Sequence, residues 1–426
     1  MSAARVVVVG AGLAGLVAAH RLRCSGFDTV VCEASSRVGG RLREDTLDGV
    51  SFEPALHALP RSAPALGGLI AELGLSKSVR RAPLERALRL RNGALVPTSV
   101  RSNDHLGPGP LRGLRSRRLR NLVEWLGGGV DPLCPHPDTR LDDRSVTDFS
   151  RLYLGRRAGP ELYEPLLETH FGHEARETSR QLLFTLFDPW GDVEISLAFG
   201  LSALPPALAT GLEVRTGERV ESVLGGGSGI RLGSGEEIRA DAVVLAVPAT
   251  LAAGLVPALT PMESEVFESA RYLDGLHLAV SCENLESTAA IWIPAAEGGP
   301  LSGCIDLPSG SPARQLLLLV ARPTTAMDDL HRSDQELTEA LLDAAARIHT
   351  GLRDGLRACR LLRLPGMLPL FSPGRYRAVQ RLQREPLLCP ERRIFFCGDY
   401  MVGPHAEAAI VSGSRAAAQA RAHLAA

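Results

Sequence analysis

Residues 5–33 read Arg5-Val6-Val7-Val8-Val9-Gly10-Ala11-Gly12-Leu13-Ala14-Gly15-Leu16-Val17-Ala18-Ala19-His20-Arg21-Leu22-Arg23-Cys24-Ser25-Gly26-Phe27-Asp28-Thr29-Val30-Val31-Cys32-Glu33. The apolar run of valines reads as a strand. Gly10, Gly12 and Gly15 follow in a Gly-x-Gly-x-x-Gly turn. Gly10 permits the tight turn, Gly12 lets a pyrophosphate approach the backbone, and Gly15 lets the next helix pack close to the strand. That helix is predicted from Leu13 and Ala14 through Val17, Ala18, Ala19 and Leu22. Its free N–H groups and positive dipole end face the phosphates. A second strand, Asp28 to Cys32, delivers Glu33 roughly 20 residues after the glycines, where a carboxylate accepts ribose hydroxyls. Strand, turn, helix, strand and acid in that order predict a βαβ unit that binds an ADP-bearing dinucleotide.

An acid at Glu33 argues against a 2′-phosphate and leaves NAD or FAD. Ser35-Ser36-Arg37-Val38-Gly39-Gly40-Arg41 follows at once. Two glycines allow close backbone approach, and a guanidinium suits a diphosphate. With this segment the sequence resembles the flavin-containing amine oxidase superfamily, closest in pattern to its protoporphyrinogen oxidase and phytoene (carotene) desaturase-like members. The resemblance implies FAD, with Gly39, Gly40 and Arg41 on its pyrophosphate.

Four further landmarks fall in the family's order, so the resemblance runs from end to end. Gly49 to His57 looks like the segment beside the isoalloxazine ring, although Glu53 and Ala55 stand where the family usually shows Asp and Gly. Gly200-Leu201-Ser202-Ala203-Leu204 resembles the return from the substrate domain. Glu218–Val223 and Ala240–Pro248 resemble the strands that hold adenine, with Val220 the implied contact. Ile394-Phe395-Phe396-Cys397-Gly398-Asp399, continuing into Glu407-Ala408-Ala409-Ile410, resembles the closing FAD motif. The cofactor-binding set implied is Gly10, Gly12, Leu13, Ala14, Gly15, Glu33, Ala34, Gly39, Gly40, Arg41, Leu56, His57, Val220, Gly398, Asp399, Ala409 and Ile410.

What the chain lacks narrows the chemistry. Lys77 is its only lysine, so the lysine that amine oxidases of this family place in the second insertion has no counterpart. Gly366 and Met367 occupy the places of the monoamine oxidase flavin-linking cysteine and first cage tyrosine, and His405 occupies the second cage position. FAD is therefore expected to be bound non-covalently, and an amine held between aromatic faces is not expected. Leu368-Pro369-Leu370-Phe371-Ser372-Pro373-Gly374-Arg375-Tyr376 instead resembles protoporphyrinogen oxidases and desaturases, and Gly398-Asp399-Tyr400 resembles a carotene desaturase ending.

The resemblance implies an FAD-dependent oxidoreductase that removes hydride from a hydrophobic substrate such as a polyene, terpenoid or porphyrinogen. In such reactions the protein mainly orients substrate and excludes water. His405, Tyr400 and His57 are the expected residues nearest the flavin, with His405 a candidate proton acceptor and the two histidines equally readable as packing or flavin-bonding residues. Two alternatives stay open: an amine or amino acid oxidase with an atypical pocket, and a redox-neutral isomerase or non-catalytic flavin-binding protein.

The order of motifs requires an interleaved α/β architecture. A Rossmann-type FAD-binding domain is expected from 1–85, 200–260 and 385–426, and a mixed-sheet α+β substrate-binding domain from 86–199 and 261–384. Helices are predicted around Leu162–Leu167 and from Asp334 to Ile348, and strands at Leu276–Cys282 and Gln315–Val320, giving a sheet with helices behind it. A length of 426 residues is ample for both, and a net charge of −1 gives no general attraction to nucleic acid. Eight scattered cysteines without CxxC spacing indicate neither a metal site nor a disulfide framework. The first strand begins so early that no signal peptide is expected, and no apolar run approaches a spanning helix, so a cytoplasmic location is expected. Residues 111–126 interleave five arginines with leucines and Trp125, a basic amphipathic pattern that could rest on an anionic membrane or cover the substrate domain. Oligomeric state leaves no signal in the chain.

Overall fold

The computed structural model describes residues 3–60, 62–83, 86–99, 110–125, 139–186, 195–285, 290–309, 314–324, 332–384 and 391–425. Leu126, which ends the basic segment, and the expected domain boundaries at 85 and 385 lie outside these described residues.

The expected βαβ unit is present: β1 (Arg5–Val9), α1 (Leu13–Cys24) and β2 (Asp28–Glu33). β1 pairs in parallel with β2 on one side and with Ala242–Leu245 on the other. Glu213–Thr216 and Ile394–Phe396 add the outer strands of a five-stranded parallel sheet. The valines of β1 are almost wholly buried because the sheet is covered twice. Val6 and Val8 face α1 and the C-terminal helix Ala406–Ala425. Val7 and Val9 face a three-stranded antiparallel sheet, Val220–Val223, Gly229–Leu232 and Glu237–Arg239. A period of two sends alternate side chains to opposite layers, and each fully buried valine contributes roughly 1.5–3 kcal/mol.

A seven-stranded mixed sheet has the order Leu356–Pro369, Tyr272–Cys282, Gln315–Ala321, Leu301–Leu307, Ala290–Trp292, Arg86–Arg91 and Ala94–Ser99. Among these described strands, only Ala290–Trp292 and Arg86–Arg91 run parallel. Here the expectation of helices on a single side needs correction. Helix Asp334–Ala346 covers one face through Leu337, Leu341 and Leu342, and helical segments between Val146 and Phe184 cover the other. The run Leu316 to Leu319 explains the difference: consecutive apolar residues point to both faces, so both must be covered.

A small antiparallel sheet joins the two larger bodies. Ile195–Phe199 pairs with both His57–Pro60 and Arg80–Pro83. Leu59 and Ala198 pack into the core of the parallel sheet, and Ala58 and Leu197 into the core behind the mixed sheet.

Candidate functional site

The expected cofactor residues cluster along the carboxyl edge of the parallel sheet, the side on which open α/β sheets hold ligands. Gly10 follows β1 with φ +103°, and its N–H donates to the Cys32 carbonyl at 2.8 Å. A Cβ on Gly15 would stand 2.0 Å from the Gly10 carbonyl oxygen, so helix and turn touch backbone to backbone. Gly12 differs, because a Cβ there would meet nothing within 4 Å. It also caps α1 without a side-chain hydrogen bond, and Leu13 and Ala14 open that helix. Gly39 is brought opposite, its N–H donating to the Ala11 carbonyl at 2.8 Å, and a Cβ on Gly40 would lie 3.4 Å from the Gly12 Cα. The bare faces of Gly12 and Gly40 thus border one another, some 28 residues apart in sequence.

Glu33 ends β2 beside this cradle, and Ala34 follows it at the exposed surface. One carboxylate oxygen accepts the Ala11 N–H at 2.7 Å, and the other accepts the N–H and hydroxyl of Ser35 at 2.9 and 2.7 Å. These bonds fix the carboxylate while leaving lone pairs for a ribose. An open backbone cradle at a helix N-terminus with an oriented acid fits the diphosphate and ribose of FAD. Glu33→Ala is expected to weaken FAD retention by about 1–3 kcal/mol, since the ribose hydroxyls lose their acceptor. Flavin absorbance after gel filtration reads this, and full retention would remove the role.

Arg41 and Asp399, far apart in sequence, form a bidentate pair, with Nη1 to Oδ2 at 2.8 Å and Nη2 to Oδ1 at 2.9 Å. Nη1 also donates to the Met367 carbonyl at 3.0 Å, and the guanidinium lies 5.9 Å from the centre of the Tyr272 ring. Arg41 therefore spans from the Gly39-Gly40 loop to the last strand of the mixed sheet. Gly398, just before Asp399, donates its N–H to Ser412 Oγ at 3.0 Å, which ties the closing motif to the C-terminal helix.

His57 begins the joining sheet, with Leu56 buried before it. Its Nε2 is buried and has no partner among the described residues, and burial, aided by the charge of Arg41, lowers its pKa to about 4. Leu56 and His57 line a cavity of about 160 Å³ whose wall mixes Phe52, Phe199 and Leu307 with Glu44, Glu53 and Arg80. Glu53, the departure from the family pattern, accepts the N–H groups of Gly200 at 2.9 Å and Ser202 at 2.6 Å. It secures the return segment.

The C-terminal helix carries Ala409 and Ile410, both buried in its first turn region. Two expectations change here. His405 Nδ1 accepts the Ala408 N–H at 3.0 Å, so the ring caps the helix and its proton sits on Nε2. Its basic nitrogen is taken, and burial lowers its pKa to about 4, which corrects the proton-acceptor expectation. Tyr400 is turned into a core with Phe267, Val379 and Met401, where its hydroxyl has no partner among the described residues. Its ring packs edge-on to Phe267 at 6.2 Å, a packing role in place of the catalytic one. Val220 lies in the core under the parallel sheet with only its edge accessible.

Sequence reasoning missed several members. Glu407 buries its carboxylate on the N–H groups of Ala65 at 2.8 Å and Leu66 at 2.6 Å, capping helix Pro64–Glu72. His277 bonds through Nδ1 to the Pro54 carbonyl at 3.1 Å, and burial lowers its pKa to about 4. Its only signal was a polar residue inside an apolar strand. The carbonyl of Met367 had no signal, because backbone groups carry none.

Residues 13–421 match the family described as flavin containing amine oxidoreductase. Protoporphyrinogen oxidase 2 of Arabidopsis thaliana is 28% identical over 174 residues, 40% of this chain and 32% of that protein. Protoporphyrinogen oxidase of Nicotiana tabacum is 37% identical over 173 residues, 39% of this chain and 32% of that protein. The match thus spans about a third of the length of these relatives. A putrescine oxidase structure with bound putrescine shares the fold at a TM-score of 0.78 and 20% identity, over 98% of this chain and 99% of that one.

Proposed function

The chain belongs to the flavin-containing amine oxidoreductase family, with FAD as its cofactor, and from that premise we propose that it removes hydride from a hydrophobic small molecule of the polyene, terpenoid or porphyrinogen class. The observation that carries this reading is the absence of a buried lysine beside three buried, neutral imidazoles. His57, His277 and His405 are all held neutral by burial, and the single lysine, Lys77, is exposed.

FAD, when bound, supplies the hydride acceptor at its N5. Gly10, Gly12, Gly15, Gly39 and Gly40 bring backbone to the diphosphate, and Glu33 orients the ribose. Arg41 sets a positive charge at the diphosphate while Asp399 holds it in register. His405 fixes the start of the C-terminal helix, and Ala409 and Ile410, buried against the parallel sheet, would set how closely that helix approaches the cofactor. His57 and Leu56 line the cavity, where Glu53 is held on the Gly200 and Ser202 N–H groups and Glu44 and Arg80 lie in the wall. The hydride takes the electron pair of its C–H bond with it, and the proton that the resulting cation must also lose to form a double bond passes to solvent, so the transfer itself requires no ionised imidazole. The division into a cofactor domain (1–85, 200–260, 385–426) and a substrate domain (86–199, 261–384) belongs to this proposal. It is supported by the parallel-sheet strands all lying in the first set and the mixed-sheet strands all lying in the second.

The two plant relatives are protoporphyrinogen oxidases, which supports a large apolar substrate. The fold shared with putrescine oxidase keeps an amine substrate as the second reading. Anaerobic bleaching of the yellow protein separates them, using a phytoene-like polyene, a porphyrinogen, a squalene-type terpenoid and several amines. Bleaching by an apolar compound is the expected result, and bleaching only by an amine would overturn the reading. Activity seen only after prior reduction would favour a redox-neutral isomerase.

The pH dependence follows from the same imidazoles. Each has its ordinary value of 6.5 lowered to about 4, so each stays neutral as pH falls from 6.5 toward 4. Flavin reduction is expected to show no histidine limb between about pH 5 and pH 8. The unfolded chain takes up these protons first, so the stability the rings contribute is complete above 6.5 and drains as pH falls through about 4. A limb near neutrality that vanishes in His57→Gln or His405→Gln would show that one ring titrates during turnover.

A further inference from the structure

Tyr272 opens the strand Tyr272–Cys282 of the mixed sheet and is partly buried. It has contacts on both large bodies of the fold. The guanidinium carbon of Arg41 lies over its ring, 5.9 Å from the centre. Its hydroxyl oxygen accepts the Ala249 N–H at 3.1 Å. Ala249 stands three residues after Ala246, which packs on the glycine turn: a Cβ on Gly10 would lie 2.8 Å from the Ala246 carbonyl oxygen, and one on Gly15 would lie 2.8 Å from the Ala246 Cβ. One side chain of the mixed sheet thus reaches both the arginine and the segment that backs the cradle.

Arg41 is held along its N–H edge by Asp399 and by the Met367 carbonyl. Met367 sits two residues before Pro369, the strand partner of Tyr272, so neighbouring strands supply the carbonyl and the ring. The aromatic contact is a separate restraint, because it acts at the centre of the guanidinium rather than on its donors. The phenol itself stays neutral. Burial, with the charge of Asp399 beside it, pushes its pKa up against the opposing pull of Arg41. A neutral ring keeps the negative face that attracts a cation.

We propose that Tyr272 is a positioning residue for the cofactor: its ring holds Arg41 in the orientation that meets the diphosphate, and its hydroxyl pins that ring to the segment behind the glycine cradle. The inference rests on the reading that Arg41 meets the diphosphate and not on the class of substrate. The ring and the hydroxyl have different tasks, and variants separate them.

FAD dissociation from diluted holoprotein, read by the recovery of flavin fluorescence, and thermal melts of the same proteins test it. Tyr272→Leu removes the ring and should weaken FAD binding about fivefold. Tyr272→Phe keeps the ring and should keep the parental affinity, while the holoprotein melts at a lower temperature because the Ala249 N–H loses its acceptor. In an Arg41→Met background, Tyr272→Leu should cost no further affinity, a coupling that a merely structural role does not produce. Ring fluorination avoids truncation altogether. Tyr272→Phe carrying one, two or three ring fluorines keeps the shape and drains the negative face, so affinity should fall stepwise. Equal losses in the Phe and Leu variants, a Leu penalty that persists without Arg41, or an affinity indifferent to fluorination would overturn the proposal. An Arg41→Met protein with parental FAD affinity would instead remove the diphosphate reading on which it rests.

Discussion

Gly12→Ala is expected to purify as a folded protein that has lost FAD, whereas Gly15→Ala is expected not to fold. The two glycines belong to one motif, yet their surroundings differ completely. Gly12 has φ −72° and ψ 176°, a conformation open to any residue, and its Cβ would point into space free of protein atoms to 4 Å. A methyl group there disturbs nothing in the protein and fills the place of the diphosphate, so affinity should fall roughly tenfold or more. A Cβ on Gly15 would sit 2.0 Å from the Gly10 carbonyl oxygen and 2.8 Å from the Ala246 Cβ. Relieving that overlap means moving α1 off the sheet, at a cost beyond the roughly 1–3 kcal/mol of ordinary overpacking and large against the roughly 5–15 kcal/mol holding a domain folded. Thermal melts of the apoproteins with FAD titrations read both. A Gly12→Ala protein with unaltered FAD affinity would show that the cradle is not where the diphosphate lies.

Arg41→Met is expected to destabilise the apoprotein by about 3 kcal/mol, the low end for breaking a buried ion pair. Asp399 has a side chain only 5% exposed, and without Arg41 its carboxylate would keep no cation at hydrogen-bonding distance among the described residues. The estimate is set low because Arg41 itself is 42% exposed, so water screens the pair from one side. Adding Asp399→Asn should recover part of the loss, since the uncompensated charge is then gone and the Tyr400 N–H keeps an acceptor. Both proteins should also hold FAD more weakly, as the cation meant for the diphosphate is missing. Denaturant unfolding of the single and double variants gives the coupling directly. An Arg41→Met protein as stable as the parent would mean that Asp399 is solvated in solution and the pair contributes nothing.

The nucleotide half of the site was legible because its instructions are local. The valines of β1, the three glycines and Glu33 lie within one supersecondary unit, and each residue type was required by the backbone beside it. Gly39, Gly40 and Asp399 were legible through family resemblance and for the same reason, each sitting at a turn whose geometry favours glycine or an acid. His405 and Tyr400 were expected nearest the flavin, and the structure gives one the cap of the C-terminal helix and turns the other into a core. An imidazole and a phenol have the same sequence signature whether they face a ligand, cap a helix or fill a core, and only the direction of the side chain separates these.

The sequence by itself determined the βαβ unit, the parallel sheet around it and a dinucleotide as the class of cofactor, because periodicity, turn chemistry and short-range spacing are written residue by residue. Tertiary structure alone decided that Arg41 meets Asp399 and the Met367 carbonyl, that Glu53 and Glu407 cap distant helices, and that His57, His277 and His405 are neutral. Each of these depends on which remote group a side chain meets and how much water is shut out, and burial and contact arise only when separate stretches of chain are packed together.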